Sequence, residues 1–439
     1  MTHADRLQTH QGHALRATSA SHAIRLLQLV HGYPPALGGV ESSTRDLCEA
    51  LARDYGFDVT VLTTNAYTVS NFRDGSLPTI PIRPDEVQNH VRVRRYPADT
   101  RWAFMLDQAQ RVAYRLGLPG NDRLRTWAHG PICPGMLRAA RATQADVVCA
   151  ASFPLNHMRY PFLIPEPRPP VVLVLAVHTD NDWAYNRPNL LRLVNRSFAT
   201  IAHTRHERDW LVERGADSER VRVVGHGVDP SALRPRLGRF RATHGIDPGG
   251  YLVAYFGQLA RHKGIDVLLR AFPRLLERSG DAWLAVGGGR TPFSAELERV
   301  VEGLPAFARA RVRLVGDLSE QQKADLLGDC DVFVSPSQAE SFGITTLEAW
   351  SLGKPVVVGD TPSQREVVEE GVSGFLVPYG DELALAEVLA MLRNDGGLRH
   401  AVGRAGRDLV VARYTRASVE REYAELFVEA ASTGWGRSA

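Results

Sequence analysis

Cysteine is scarce in this chain of 439 residues: Cys48, Cys133, Cys149 and Cys330 are the only four. None stands in CxxC spacing, which excludes a cysteine-built zinc site or a disulfide framework and makes a reducing cytosol the simplest home. Long apolar runs are also missing. The longest reach nowhere near the 18 or so residues that span a bilayer, and 171–177 reads by its length as a buried strand. Charge of one sign is lacking too, since 52 Lys and Arg against 49 Asp and Glu leave a net +3. That is too little for nucleic acid to be the main partner of so long a chain. The first twenty-odd residues are polar, hold several histidines and carry no apolar signal core, so residues 1–22 are expected to be a loose tail. What remains is 44% hydrophobic and 23% charged, the composition of a globular protein. It is too long for one ordinary core, and two domains of roughly 200 residues each are expected.

Ile24 to Val30 is a nearly continuous apolar run. The glycine-bearing segment Tyr33 to Val40, a helical pattern through Leu51 and a second run at Asp58 to Leu62 follow. Strand, glycine loop, helix and strand in that order predict a parallel sheet covered on both faces. Further strands are expected at 146–149, 171–177, 199–202 and 221–224. A second set is expected at 252–256, 282–286, 312–315, 332–335 and 355–358. Two such sets mean two Rossmann-like halves. Proline and charge interrupt the periodicity between Asp229-Pro230 and Pro235-Arg236, which puts the boundary there. The expected organisation is a tail over 1–22, a first domain over 23–233, a second over 234–412 and a terminal helix over 413–439.

The most informative spacing is Glu340, seven residues, Glu348. A buried strand at Asp331 to Val334 precedes it, Gly343 opens a helix, and Gly353 with Pro355 ends that helix before the next strand. A strand-loop-helix unit aims the free amides of the helix N-terminus past the carboxyl end of the sheet, where an anion such as phosphate is favoured. Glu348, more than a turn inside the helix, then sits beside the anion rather than on it. Carboxylates accept hydrogen bonds from sugar hydroxyls and repel phosphate, so Glu348 suits a ribose and Glu340, in the loop, a second sugar. Lys263-Gly264 follows another strand, where the ammonium can meet a diphosphate and the glycine lets the backbone come close. The bland alternative is a surface lysine beside a turn. His178 stands at the carboxyl end of the expected strand 171–177, where open α/β sheets bind ligands, although a satisfied strand-end histidine fits as well. Asp180 and Asp182 follow it without a further cluster of metal ligands, so no metal is expected. Gly38-Gly39 is by itself no more than a tight turn, and Gly287-Gly288-Gly289 is not a dinucleotide fingerprint.

At these residues the chain resembles the family 4 retaining glycosyltransferases of GT-B fold, over residues 24 to 430. The resemblance implies two Rossmann-like domains facing across a cleft, the first binding the acceptor and the second a nucleotide sugar. It also implies a last helix, here 414–428, that crosses back to the first domain. It assigns catalytic roles to His178, Lys263 and Glu340, and donor contacts to Gly39, Gln258, Arg261, Lys263, Glu340, Phe342, Gly343, Ile344, Thr345 and Glu348. Tyr33, Pro34 and Glu41 match the family pattern around Gly39, and the glycines at 287–289 match a family turn. The departure is Gln258, where the family has arginine. Either Arg261 or a helix N-terminus makes up the missing charge, or the donor binds more weakly.

The activity so implied moves a hexosyl group from a UDP- or GDP-sugar to an acceptor hydroxyl on a glycan, glycolipid or small molecule, with retention. Neither cofactor nor metal is implied, and nucleic acid is no partner. The rivals are a glycoside phosphorylase or a nucleotide-sugar epimerase of the same fold, or a decayed donor-binding protein. A pyridoxal phosphate, acceptor-free epimer formation, or failure to turn over any nucleotide sugar would reveal them in turn. Arg92, Arg94, Arg95, Arg101, Arg111, Arg115, Arg123 and Arg125 crowd one stretch with interleaved aromatics. As a helix, 102–116 suits either peripheral contact at the inner face of an anionic membrane or plain packing with solvated arginines.

Overall fold

The computed structural model describes residues 23–433 apart from Leu37 and Asp85, and the expected tail over 1–22 lies outside the described residues. The chain divides into two compact units. One holds the described residues up to Leu175, Arg187–Ile201 and the described residues from Glu422 onward; the other holds Ala176–Asn186 and Ala202–Arg421.

The first unit is built on β1 (Arg25–Leu29), β2 (Asp58–Thr64), β3 (Glu86–Gln88), β4 (Val91–Tyr96), β5 (Val147–Ala151), β6 (Val171–Val174) and β7 (Ala199–Ala202). They lie side by side in the order β3-β4-β2-β1-β5-β6-β7. Every neighbour is parallel except β3 on β4; Leu26 of β1, for example, is in register with Val59 on one side and Val147 on the other. Leu26, Leu27 and Leu29 are all buried, as a parallel strand covered on both faces requires. Thr44, Cys48 and Leu51 line the inner stripe of the helix Gly39–Asp54. From Glu422 the last helix, Arg416–Ser432, belongs to this unit, and Phe427 is fully buried there with its ring edge-on to Phe57.

The second unit holds the short β8 (Val221–Val223) and a six-stranded, wholly parallel sheet. That sheet comprises β9 (Tyr251–Phe256), β10 (Ala282–Gly287), β11 (Val312–Gly316), β12 (Val332–Ser335), β13 (Val356–Gly359) and β14 (Gly374–Val377), in the order β11-β10-β9-β12-β13-β14. Leu268, Leu269, Phe272 and Leu275 of the helix Ile265–Ser279 share one core with Leu385, Leu389 and Leu392 of the helix Glu382–Asn394. On a second core Trp350 is completely buried among Phe333, Leu347, Val356 and Val410, and its indole N–H donates to the Ser373 carbonyl at 2.9 Å. A buried Trp needs such a partner for its N–H.

Three strands, β3, β4 and β14, were not foreseen. β4 reads Val-Arg-Val-Arg-Arg-Tyr, a period-2 pattern that the run of arginines masks. Arg95 is buried on it, donating to Glu86 at 2.8 Å and to the Tyr33 carbonyl at 3.0 Å. Arg125 is buried as well, so part of the arginine-rich stretch is framework. A fourth difference bears on function. β6 ends at Val174, three residues short of the expected strand, because Ala176 turns into the left-handed region with φ 64°. His178 thus lies beyond a turn rather than at a strand end.

Candidate active site

In the six-stranded sheet the order reverses between β9 and β12, one chain direction leading to β10 and the other to β13. The crevice outside the carboxyl ends at such a switch point is where open α/β sheets bind ligands. Two segments meet there. After β9 the chain makes a single 3₁₀ turn, Arg261–Lys263, and leaves it through Gly264 with φ 68°. A β-carbon on Gly264 would lie 2.1 Å from the Pro336 carbonyl oxygen, so only glycine lets this turn press against the loop after β12. The Gln338 amide donates to the His262 carbonyl at 2.7 Å, the Ser363 hydroxyl to the Glu340 carbonyl, and the Gln364 side-chain amide to the Phe342 carbonyl at 2.8 Å. The loop then turns at Gly343, φ 93°, into the helix Ile344–Ser351.

This stitching sets Lys263 Nζ 2.7 Å from Glu340 Oε2, with both side chains largely buried at 17% and 15% exposure. The His178 ring stands 6.4 Å from that of His262, edge to face, and 5.5 Å from Tyr185. Burial pushes the Glu340 carboxyl up, but the Lys263 ammonium, His178 and the Ser341 amide outweigh it and hold it below the usual carboxylate range. His178 is lowered by burial and Lys263 against the pull of Glu340 and Asp180. His262 falls to about 4 through burial, Lys263 and His178. At neutral pH the cluster is therefore one ammonium, one carboxylate and two neutral imidazoles. Such a set can stabilise a departing anion, accept from sugar hydroxyls and exchange hydrogen bonds on both sides of an imidazole.

Glu348 does not stand in that cluster. Lys323 on the helix Glu320–Asp329 reaches it at 2.6 Å, and reaches the exposed Glu320 at 2.8 Å. Burial pushes the Glu348 carboxyl above its ordinary value in spite of Lys323. The Lys323 ammonium also stands 5.7 Å from the centre of the Phe256 ring. Gln258 is exposed beside the turn, and its backbone carbonyl accepts from the Tyr255 hydroxyl at 2.9 Å. Arg261 points outward, pairing with Glu296 at 2.5 Å while its guanidinium lies over Phe293. The Phe342 ring is buried, edge-on to His226 and Tyr414, which leaves only its backbone facing the loop. Ile344 and Thr345 stand half-buried in the first turn of the helix after Gly343, where amides lack intrahelical partners. Asp182 is bound to Arg214 at 2.8 Å. Gly39, in the first unit, opens the helix Gly39–Asp54, and Glu41 inside it takes His31 Nε2 at 3.1 Å.

His262 and Lys323 escaped sequence reading. His262 had a signal in its place beside Lys263. Lys323 had none, being 25 residues from its partner on a different helix.

Two family profiles match the chain: Glycosyltransferase Family 4 over residues 37–232 and Glycosyl transferases group 1 over 238–409. The D-inositol 3-phosphate glycosyltransferase of Xylanimonas cellulosilytica is 33% identical over 224 residues, which are 49% of this chain and 53% of that protein. The phosphatidyl-myo-inositol mannosyltransferase of Mycobacterium leprae is 32% identical over 231 residues, 52% of this chain and 58% of that protein. The chain thus spans about half the length of these curated relatives. Among solved structures, Anabaena HepE in complex with UDP and glucose superposes with a TM-score of 0.66 at 18% identity, covering 92% of this chain and 99% of that one. That likeness is one of fold.

Proposed function

The chain belongs to the family 4 glycosyltransferases of GT-B fold, and on that premise we propose that it moves a hexosyl group from a UDP- or GDP-sugar to an acceptor hydroxyl with retention. The observation that carries this reading is the Lys263–Glu340 pair with His178 close by, at the switch point of the second sheet. In the proposed step the acceptor oxygen bonds to the anomeric carbon as the bond from that carbon to the diphosphate oxygen breaks. The acceptor proton passes to the departing phosphate on the same face, so no carboxylate nucleophile is needed, unlike the retaining glycosidases. Lys263 and the amides at the start of the helix Ile344–Ser351 stabilise the diphosphate charge. Glu340 holds donor-sugar hydroxyls, Glu348 the ribose, and neutral His178 the sugar. Gln258 offers a hydrogen bond to phosphate without charge. Gly39 leaves room for the acceptor, and a β-carbon there would meet nothing within 4 Å.

Both relatives are named for inositol-bearing acceptors, which makes inositol phosphates the first acceptors to try. UDP- and GDP-sugars are to be screened for hydrolysis and transfer, with the product anomer read by NMR. An inverted product overturns retention, and turnover of none of them overturns the donor class.

We place the work of charge stabilisation on Lys263 and helix amides, so activity is expected to survive EDTA within about twofold. Complete loss, restored by Mg²⁺ or Mn²⁺, would move attention to Asp180 and Asp182. The reading further sets the protein in the cytoplasm, in contact with the inner face of the membrane through the helix Ala103–Arg115. Trp102, Met105, Val112 and Leu116 are all exposed there at i, i+3, i+10 and i+14, with Arg111 and Arg115 beside them. Co-sedimentation with vesicles containing phosphatidylglycerol is expected, weakening as salt rises. Equal recovery with and without vesicles at low salt would refute it.

A further inference from the structure

The turn that carries His178 is held from both sides by one helix. Glu207, on the helix Arg205–Glu213, is almost completely buried, and its two carboxylate oxygens accept from the Val177 amide at 2.8 Å and the His203 amide at 2.7 Å. The Ala176 amide adds to this set. One residue beyond His178, the Thr179 hydroxyl meets His206 Nε2 at 2.9 Å. The helix is itself anchored: Thr204 Oγ1 accepts from the Glu207 amide at 3.1 Å, and Glu366 accepts from the amides of Arg205 and His206 at 2.8 and 3.1 Å. Ala176, at φ 64°, lies in the left-handed region, which an alanine keeps only where its surroundings hold it there. A carboxylate clamping the amides at the turn is such a hold.

We infer that Glu207 is a positioning residue for transfer, acting through His178 by fixing the left-handed turn at Ala176 and Val177, with Thr179–His206 as the second hold. The inference rests on the proposed role of His178. Thr204 and Glu207 stand at the spacing of a capping box, and Thr204 does cap the helix through the Glu207 amide. The reciprocal half of the box is missing, because the Glu207 carboxylate takes the His203 amide rather than that of Thr204 and reaches on to the His178 turn.

Clamping two amides needs both oxygens as acceptors, and a protonated carboxyl has only one to spare. Burial pushes Glu207 up to about 7 against the three amides that lower it. Between the ordinary carboxyl value and about 7 it takes up a proton, one amide loses its partner, and transfer falls. The titratable groups on the segments it joins are His203, whose ring is tilted 31° to that of His226 with centroids 4.0 Å apart, His206, His178 and Asp180, with Glu366 at the helix start. Burial holds His203 near 4 and His226 well below its ordinary value, so neither gains charge in this range.

The test is a double-mutant cycle on turnover of UDP-glucose or GDP-mannose, whichever the screen supports. His178→Ala is expected to cost about a hundredfold in kcat. Glu207→Gln is expected to cost about tenfold at pH 8 with donor KM unchanged, and to lose the acidic limb near pH 7. The double variant is expected to be no worse than His178→Ala. Thr179→Val, a milder change that keeps the clamp, is expected to cost several-fold and likewise to vanish on the His178→Ala background, so the cycle stands even if Glu207→Gln fails to fold. Additive costs, wild-type kcat in a folded Glu207→Gln, or, where that variant does not fold, wild-type kcat in Thr179→Val, overturn the inference alone. Wild-type kcat in His178→Ala overturns the reading beneath it.

Discussion

Lys263→Ala is expected to lower turnover by about a hundred- to a thousandfold, the loss typical when one preorganised donor to a developing anion is removed. The ammonium is held in place before any donor arrives, 2.7 Å from Glu340. It therefore spends little on ordering and turns from one anion to another when the diphosphate enters. Removing it also leaves Glu340 without the charge that outweighs its burial, so that carboxyl rises. Breaking a buried pair on one side costs about 3–5 kcal/mol when water is fully excluded, and less at the 15–17% exposure seen here. The thermal midpoint should drop while the protein stays folded at assay temperature. Steady-state kinetics beside a melting curve separate the two effects. A folded variant with wild-type turnover would remove Lys263 from the site.

The segments bearing Lys263, Glu340 and Glu348 were legible in the sequence because each lies at a fixed offset from a strand end or helix start; Lys263 and Glu340 come together there, whereas Glu348 pairs with Lys323 instead. The parallel sheets were legible for the same local reason, an apolar run of strand length followed by a helical period. What escaped depends on distant pairings. Glu348 with Lys323, Glu207 with Val177 and Glu340 with Lys263 are separated by 25, 30 and 77 residues. No periodicity announces a carboxylate that bonds an amide thirty residues back. β6 ends at Val174 although 171–177 is apolar throughout: Ala176 turns left-handed and the Val177 amide donates to Glu207 instead of to a neighbouring strand. The arginine-rich stretch erred the other way, since a count of charges hid the alternation that makes β4. Arg261 offered a cation at the right place in the sequence, but Glu296, 35 residues on, draws it outward.

The two glutamates of the spaced motif are expected to fail differently when neutralised. Glu340→Gln keeps an acceptor for sugar hydroxyls and for Lys263 but loses the charge that holds the ammonium. Lys263 is then freer to meet phosphate, so affinity for free nucleotide should hold or rise while kcat falls by about a hundredfold, because the hydroxyls of the migrating sugar lose their charged acceptor. Glu348→Gln should do the opposite. A charged hydrogen bond to a ribose hydroxyl is worth about 1.5–3 kcal/mol, which corresponds to roughly a ten- to hundredfold loss of nucleotide affinity, with kcat at saturating donor changed much less. The second variant also strips Lys323 of its buried partner and leaves it only Glu320, whose side chain is 89% exposed. Some stability is therefore lost as well, which a melting curve without nucleotide registers. Calorimetry with UDP and GDP, set beside kcat, decides the matter. If Glu340→Gln loses nucleotide affinity as severely as Glu348→Gln, the two carboxylates do not divide sugar from ribose, and Glu340 faces the nucleotide.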